Sequence, residues 1–60
     1  MAYKKVMLRN INIGDEALVN GVWYSVIDFD WGGVSLLNNE TGETFELSLS
    51  DVEKVQRWEE

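Results

Sequence analysis

The sequence predicts an all-β fold, a small barrel of five short strands with a 3₁₀ turn before the last strand. Runs rich in β-branched and aromatic residues alternate apolar with polar positions, which is the pattern of half-buried strands. Pairs such as Asn20-Gly21 and Gly32-Gly33 separate these runs and are typical of hairpin turns. The run over residues 22–31 is long, and small barrels use a long, bent second strand to pass from one sheet to the other.

Size and composition limit the chain to one domain. A chain of 60 residues buries only about 60% of the surface that its unfolded form exposes, so we expect a single domain over residues 1–60. Within it we expect an N-terminal segment over residues 1–12 and the barrel over residues 13–58. The apolar fraction of 45%, which includes three Trp, two Tyr and two Phe, is enough for a core.

Several classes of chemistry and location are excluded or not expected. The absence of Cys and His excludes disulfides, thiolate zinc sites and Ser-His or Cys-His nucleophiles. We expect no cofactor and no metal. The sequence has neither a long apolar run nor an export signal, so we expect no membrane contact and a cytoplasmic protein.

The charged residues are distributed unevenly along a chain of net charge −6. From Asn10 to Glu53 there are nine acidic residues and no basic one. Such a body repels phosphate backbones, which argues against nucleic acid as the partner. Simple solubility and an acidic docking surface both account for the acidic excess. The five basic residues lie near the two ends of the chain: Lys4, Lys5, Arg9, Lys54 and Arg57.

The first two strands are predicted to form a hairpin. A turn at Gly14-Asp15 precedes a run of about five residues in which Ala17 and Val19 share one face. Asn20-Gly21 ends this strand. The second strand, over residues 22–31, has one face that is apolar nearly throughout and another that changes from apolar to acidic. A change of environment along the strand explains this pattern, and so does a bulge near Val26-Ile27 that switches the alternation.

The second and third strands are predicted to supply the main core patch. Gly32-Gly33 can provide the positive φ angles of a two-residue turn, after which residues 34–38 begin the third strand. With this turn the apolar side chains of the two strands share a face: Ile27, Phe29, Val34 and Leu36.

The last third of the chain contains a turn, a fourth strand and an ambiguous end. Residues 38–43 form the turn, and the strand after it places Phe45, Leu47 and Leu49 on one side. A capping box of Ser50 and Glu53 could begin a short helix. Alternatively, residues 50–53 form a 3₁₀ turn and residues 54–58 a fifth strand, with Val55 inward. We favour the strand, because a short terminal helix has little to pack against and a closing strand hides an edge.

Three segments within residues 13–58 resemble SH3-like small barrels, especially the Tudor and KOW families. They are "IGDEALV", similar to the start of a KOW-type strand, "NGVWYSVIDFD", similar to a Tudor strand, and "LSLSDVEKV", similar to a Tudor ending. The KOW resemblance implies contact with nucleic acid or with the transcription and translation machinery. The Tudor resemblance implies recognition of methylated Lys or Arg by cation–π attraction, with Trp23 and Tyr24 matching the paired aromatics of that family.

The small size and the initiating Met1 also resemble accessory proteins of bacteriophages and mobile elements. Such proteins often bind a host protein or assemble with copies of themselves. The resemblance therefore implies a protein partner.

The segment "DFDWGG", residues 28–33, offers three candidate sites. Its spacing partly matches a calcium loop, although Gly32 and Asn39 occupy two ligand positions. Asp28 and Asp30 could act as general acid and base, but such pairs work in a deep cleft that shifts one pKa. A binding surface fits better, because Trp and Tyr supply much of the energy at protein interfaces.

Trp31 beside the hairpin tip is the predicted anchor of this binding surface, unless the rings are all core or cover the barrel ends. The predicted partner-binding residues are Trp31, Asp28, Asp30, Trp23, Tyr24 and Glu43. The sequence thus predicts a non-enzymatic protein–protein interaction module. Two alternatives stay open: a self-assembling homo-oligomer that uses the same aromatics or an open strand edge, and a KOW-like nucleic-acid-binding domain that uses the basic terminal residues.

Overall fold

The computed structural model describes all 60 residues and contains one antiparallel sheet of six strands and no α-helix. The strands are β1 (Ala2–Val6), β2 (Glu16–Val19), β3 (Val22–Phe29), β4 (Gly33–Leu37), β5 (Thr44–Ser48) and β6 (Lys54–Glu59). Their order in the sheet is β1-β6-β2-β3-β4-β5. Two 3₁₀ turns lie at Leu8–Asn10 and Leu49–Asp51. The predicted all-β class is confirmed.

The sheet has six strands where the sequence predicts five, because part of the N-terminal segment is also a strand. β1 pairs with β6 in a register that places Tyr3 opposite Trp58 and Val6 opposite Val55. Within β1 only Val6 is buried. A strand with one buried residue shows little alternation in its sequence, and its partner lies at the other end of the chain, so no local pattern indicates it.

The sheet is open, with β1 and β5 as its two edges. β1 pairs only with β6, and β5 pairs only with β4. The structure therefore does not show the barrel closure that the sequence predicts. Both edge strands have charged side chains on them, Lys4 and Lys5 on β1 and Glu46 on β5, which discourages unspecific pairing with other chains.

The hairpin between β2 and β3 turns at Asn20-Gly21, as predicted. Asn20 has φ +49° and Gly21 has φ +79°, the two left-handed residues that a type I′ turn requires. Val19 lies opposite Val22 across this turn. The turn fixes the register in which Ala17, fully buried, lies opposite Tyr24.

β3 contains the predicted bulge and ends at Phe29, two residues earlier than expected. Val26 pairs with Leu36 and Asp28 pairs with Ser35, so Ile27 is the extra residue that shifts the register. The bulge exchanges the two faces of the strand, which explains why its even positions change from apolar to acidic. Before the bulge Val26 is on the core side, and after it Phe29 lies beside Val34 on that side.

The predicted core patch is half right. Val34 and Leu36 are buried, at 2% and 0% exposure, and burial of each stabilises the fold by roughly 1.5–3 kcal/mol. Ile27 and Phe29 are each 40% exposed, so their assignment to the core is wrong. Ile27 is displaced by the bulge, and Phe29 is the last residue of β3, next to the exposed hairpin. The buried apolar core consists of Val6, Ile11, Ala17, Val26, Val34, Leu36, Val52 and Val55.

The chain after β4 follows the predicted course. Asn38 organises the β4–β5 turn, since its side-chain oxygen accepts hydrogen bonds from the amides of Glu40 and Thr41, 2.9 and 3.3 Å away. Phe45, Leu47 and Leu49 then pack against the core from one side, as expected.

The chain end is a strand and not a helix. The 3₁₀ turn Leu49–Asp51 is capped by Ser48, whose side chain accepts a hydrogen bond from the amide of Ser50. β6 follows with Val55 buried at 2% exposure, so the favoured turn and strand are confirmed. The structure contains no helix with the length and apolar character that a membrane crossing requires.

Candidate functional site

The β3–β4 hairpin is built by the side chain of Asp30. Its Oδ1 accepts hydrogen bonds from the amides of Gly32 and Gly33, at 3.3 and 3.0 Å, and the Asp30 amide donates to the Gly33 carbonyl at 3.0 Å. The Asp30 side chain hydrogen-bonds to backbone amides that follow it in the sequence, and such contacts stabilise a turn. The glycines were expected to form this turn through their positive φ angles. The predicted positive φ angles at Gly32 and Gly33 are wrong, because the left-handed glycines are Gly14, Gly21 and Gly42.

Gly33 has a different function, which is to allow a close approach. A Cβ at this position would lie 3.3 Å from Oδ1 of Asp30 and 3.4 Å from the carbonyl oxygen of Leu47. The absence of a side chain therefore lets the Asp30 carboxylate fold over the turn while β4 stays paired with β5. The hairpin tip is held by backbone hydrogen bonds and not by the Trp31 ring.

Trp31 at the tip is fully exposed, at 103% of its reference area. It is the most exposed of the large apolar side chains, while Trp23, Phe29 and Trp58 are exposed by 39%, 40% and 52%. Trp31 is therefore not part of the core. An exposed ring of this size on an ordered turn is a feature of binding surfaces.

An apolar groove of about 620 Å³ lies beside Trp31, next to the end of β3. Its floor contains Phe29, which continues β3, and Leu8 and Leu49, which belong to the two 3₁₀ turns. Ile11 adds apolar surface. The two turns thus bring residues from three distant parts of the chain to the side of one exposed ring. The charged residues that line the groove are Arg9 and Asp30.

An acidic strip runs along the other side of the same hairpin. Asp28 pairs with Ser35, which pairs with Glu46, so the three side chains lie in one row across three strands. Together with Asp30, the two acids line a shallow groove of about 330 Å³ that no basic residue lines. The acidic groove and the apolar groove beside Trp31 share Phe29 and Asp30, so the two grooves adjoin at the hairpin. Asp28 lies near the end of β3, and Asp30 and Trp31 lie in the connection that follows that strand.

The other three predicted partner-binding residues lie elsewhere. Trp23 is at the beginning of β3, and the hairpin tip follows the end of that strand. Tyr24 lies on the opposite face from Trp23 and packs edge-on against Phe45, with ring centroids 4.9 Å apart. Glu43 belongs to the β4–β5 turn, whereas the β3–β4 hairpin is at the other end of β4. Trp23, Tyr24 and Glu43 therefore do not lie at the β3–β4 hairpin with Asp28, Asp30 and Trp31.

The basic residues are also divided, although the chain termini do meet through the pairing of β1 with β6. Lys4, Lys5 and Lys54 line a small groove of about 240 Å³ together with Tyr3 and Trp23. Arg9 is at the apolar groove near Trp31 instead. A single patch of five bases, which the nucleic-acid alternative requires, is therefore not formed.

The remaining base, Arg57, is bound to the one buried charged residue of the chain, Asp15, which is 2% exposed. The Arg57 Nε and Nη2 atoms donate to Oδ1 and Oδ2 of Asp15 at 2.7 and 2.9 Å. Nη2 also donates to the Asn10 carbonyl at 3.0 Å, and the Asn12 amide donates to Oδ2 at 2.9 Å. A carboxylate with this many donors is a structural anchor between β6 and the loop before β2.

The ionisation of Asp15 follows from these contacts. Burial by itself raises the pKa of the carboxyl, since it disfavours the charged form. The hydrogen bonds from Arg57 and from the Asn12 amide, together with the positive charge of Arg57, outweigh burial and hold the pKa of Asp15 below its ordinary value. The pair is therefore ionised at neutral pH.

Sequence reasoning missed four contributors to the candidate site: Leu8, Ile11, Glu46 and Leu49. The sequence analysis gives Leu8 no role. It predicts that Leu49 faces the core, but not that Leu49 also lines the groove beside Trp31. The apolar run of residues 6–8 in an otherwise polar N-terminal segment is the one indication that was available for Leu8. Leu49 begins a 3₁₀ turn, and its backbone amide donates a hydrogen bond to the carbonyl of Gly32, 3.0 Å away. This contact holds Leu49 next to the hairpin.

No protein-family model, no curated protein and no solved structure matches the chain in the comparisons made. The candidate site is interpreted from its own geometry.

Proposed function

We propose that the chain is a non-enzymatic protein-interaction module that binds a basic segment of a partner protein through its β3–β4 hairpin. The full exposure of Trp31 on a hydrogen-bonded hairpin supports this proposal most strongly. Burial of a Trp at the centre of an interface commonly contributes about 2 kcal/mol or more to binding. The apolar groove of Leu8, Phe29 and Leu49 beside the ring is a place where an apolar side chain of the partner can lie.

The charge around Trp31 favours a basic partner. Asp28, Asp30 and Glu46 form the acidic strip on one side of the ring, and they attract Lys and Arg side chains during encounter and dock them afterwards. The preferred ligand is therefore a segment with one aliphatic or aromatic side chain between basic residues. Asp28 and Asp30 each accept hydrogen bonds from backbone amides, so these carboxylates build the hairpin and its charge and are not assigned to catalysis.

We also infer that β2 to β6 form an SH3-like unit to which β1 is added. The support is their order of five consecutive antiparallel neighbours, the bulged β3 and the 3₁₀ turn before the last strand. A phage-type accessory protein that binds a host protein in the cytoplasm fits this size and surface. The recognition itself is derived from the hairpin and not from the fold, since one small barrel type serves many functions.

The test is a titration of ¹⁵N-labelled protein with two pools of synthetic 12-residue peptides. One pool has a central Leu, Phe or Trp between pairs of Lys or Arg, and the other has Glu in place of every base. We expect amide shifts at residues 28–33 and near Leu8 and Leu49 with the basic pool alone.

The Trp31→Ala variant should weaken binding of the best basic peptide about thirtyfold, equivalent to about 2 kcal/mol. Trp58→Ala is the matched control, because Trp58 is also exposed but lies on β6, and it should bind as the wild type does. Equal binding of both pools, or unchanged binding by Trp31→Ala, would refute the proposal.

A further inference from the structure

A second groove, on the face of the sheet formed by β1, β6 and the start of β3, has the opposite charge from the hairpin. The groove of about 240 Å³ is lined by Tyr3, Lys4, Lys5, Trp23, Lys54 and Gln56. Three of the five basic residues of the chain lie here, and no acidic residue lines the groove. In a chain of net charge −6 this is a local concentration of positive charge next to aromatic surface. We call it the lysine groove.

The walls of the lysine groove are aromatic and fixed. Tyr3 is 50% exposed and packs edge-on against Trp58 on the neighbouring strand, with ring centroids 5.0 Å apart. Trp23 is 39% exposed and forms the other wall. Glu16 lies close by, where its carboxylate accepts a hydrogen bond from Gln56 at 2.8 Å, so the Gln56 side chain is held in place. Lys4 is paired with Glu59, whose Oε2 atom lies 3.6 Å from its Nζ atom, so the free charges that face the groove are those of Lys5 and Lys54.

The hairpin is the chemical complement of the lysine groove. It presents one indole ring, Trp31, with the carboxylates of Asp28 and Asp30 beside it, and the groove presents aromatic walls with ammonium groups beside them. We propose that the hairpin of one copy docks into the lysine groove of a second copy of this chain. The inference rests on the proposed role of the hairpin as a recognition surface and names its partner.

The contact joins two copies because a hairpin cannot reach the groove of its own chain. Trp23 lies at the beginning of β3 and Trp31 beyond its end, eight residues along the chain, which at about 3.3 Å per residue corresponds to up to about 26 Å. Each copy therefore offers two different surfaces, and each contact leaves one hairpin and one groove free. A head-to-tail interface of this kind builds chains or closed rings.

The contact depends on ionic strength, because Asp28 and Asp30 face Lys5 and Lys54 near the surface. The Debye length falls from roughly 14 Å at 0.05 M salt to roughly 4 Å at 0.5 M. Assembly is therefore stronger at the lower salt concentration.

The test uses two variants of the full chain, each of which loses one half of the contact. Trp31→Ala removes the hairpin anchor and keeps the groove, and the double variant Lys5→Glu/Lys54→Glu reverses the groove and keeps the hairpin. Sedimentation velocity at millimolar chain concentration and low salt should give species larger than a dimer for the wild type, and a monomer for each variant. Their equimolar mixture should give a dimer and nothing larger, since the remaining hairpin and groove are both inactive. Lys5→Arg/Lys54→Arg keeps the charge and should assemble as the wild type does.

Four outcomes would overturn the inference: a monomeric wild type, assembly that survives in both variants, a mixture that stays monomeric, and binding of fluorescent oligothymidylate to a monomeric wild type that is lost in Lys5→Glu/Lys54→Glu. The last outcome assigns the groove to single-stranded nucleic acid. Thermal melts of each variant verify folding. A monomer that still binds basic peptides through Trp31 would overturn this inference alone, whereas loss of both activities would overturn the proposed function as well.

Discussion

At the scale of single residues, Asp15 and Arg57 stabilise the frame that holds both candidate surfaces. The bidentate pair connects β6 to the loop before β2, and the backbone carbonyl of Asp15 also accepts a hydrogen bond from the Val26 amide at 2.8 Å, next to the bulge of β3. Removal of one partner from a buried ion pair is costly, because the other charge is left without a partner in the interior.

Asp15→Asn should lower the free energy of unfolding by about 2 kcal/mol at neutral pH, because it removes a charge that accepts three hydrogen bonds. For a chain of this size the melting temperature should fall by on the order of 10 °C. Glu40→Gln is the control, since it removes the same charge from an exposed turn and should leave the melting temperature nearly unchanged. Equal decreases in melting temperature for the two substitutions would mean that the buried ion pair stabilises the fold no more than an exposed charge does.

The contribution of Asp15 should also depend on pH. Its folded-state pKa is lowered, so the stabilisation is fully present above the unfolded value of about 3.9 and is lost as the pH falls through the folded value. The difference in unfolding free energy between wild type and Asp15→Asn should therefore be constant at neutral pH and shrink in acid, as measured by urea titrations across this range. A difference that grows in acid would contradict the assigned ionisation.

The ion pair illustrates what sequence patterns leave out at this scale. Asp15 is one of nine acids in the middle of the chain and Arg57 one of five bases at its ends, and nothing in the local sequence distinguishes either residue. Their contact joins positions separated by 42 residues and depends on the pairing of β6 with β2. The turn at Gly14-Asp15, in contrast, is local and could be predicted.

At the scale of elements, the two hairpins of β3 reach their turns by different means. The β2–β3 turn needs left-handed backbone at Asn20 and Gly21, whereas the β3–β4 turn is made by the Asp30 side chain. The two glycines Gly21 and Gly32 both have open space where a Cβ would be placed, so backbone conformation alone distinguishes them.

Gly21→Ala should destabilise the fold by roughly 1 kcal/mol, because Ala at φ +79° is strained. Gly32→Ala should change stability by no more than about 0.5 kcal/mol, since Gly32 is not left-handed and meets no neighbour. Chemical denaturation of the two variants side by side measures this difference. A larger loss for Gly32→Ala would show that the hairpin tip is strained and not held simply by Asp30.

Elements with local signals could be predicted and those that depend on distant partners could not. The Asn20-Gly21 turn, the bulge near Val26 and the alternation of Phe45, Leu47 and Leu49 are all visible in short stretches of sequence. β1 is not, because its partner is β6. Phe29 is a large apolar residue of the kind found in cores, yet it lies at the end of β3 beside an apolar groove. The other residues of that groove come from distant parts of the chain, so only the complete fold shows it.

At the scale of the whole molecule, the acidic hairpin and the lysine groove lie at opposite ends of β3. The strand begins beside the lysine groove at Trp23 and ends at the acidic hairpin with Trp31. The sequence shows bases only near the termini, but the pairing of β1 with β6 is what turns Lys5 and Lys54 into neighbours of Trp23. The sequence leaves open whether the Trp31 ring is buried or exposed, and the complete fold shows that it is exposed.

The most direct measurement of the central claim is the quenching of Trp31 fluorescence in the variant Trp23→Phe/Trp58→Phe, whose only indole is at the hairpin tip. The ring should emit at the wavelength of a free tryptophan derivative and be quenched by acrylamide nearly as efficiently. Relative to that free derivative, quenching by cesium should be enhanced and quenching by iodide reduced at low salt, because Asp28 and Asp30 attract the cation and repel the anion. A blue-shifted, protected emission in a folded variant, or iodide quenching that is enhanced over that of the free derivative, would contradict a hairpin that presents an exposed ring in an acidic setting.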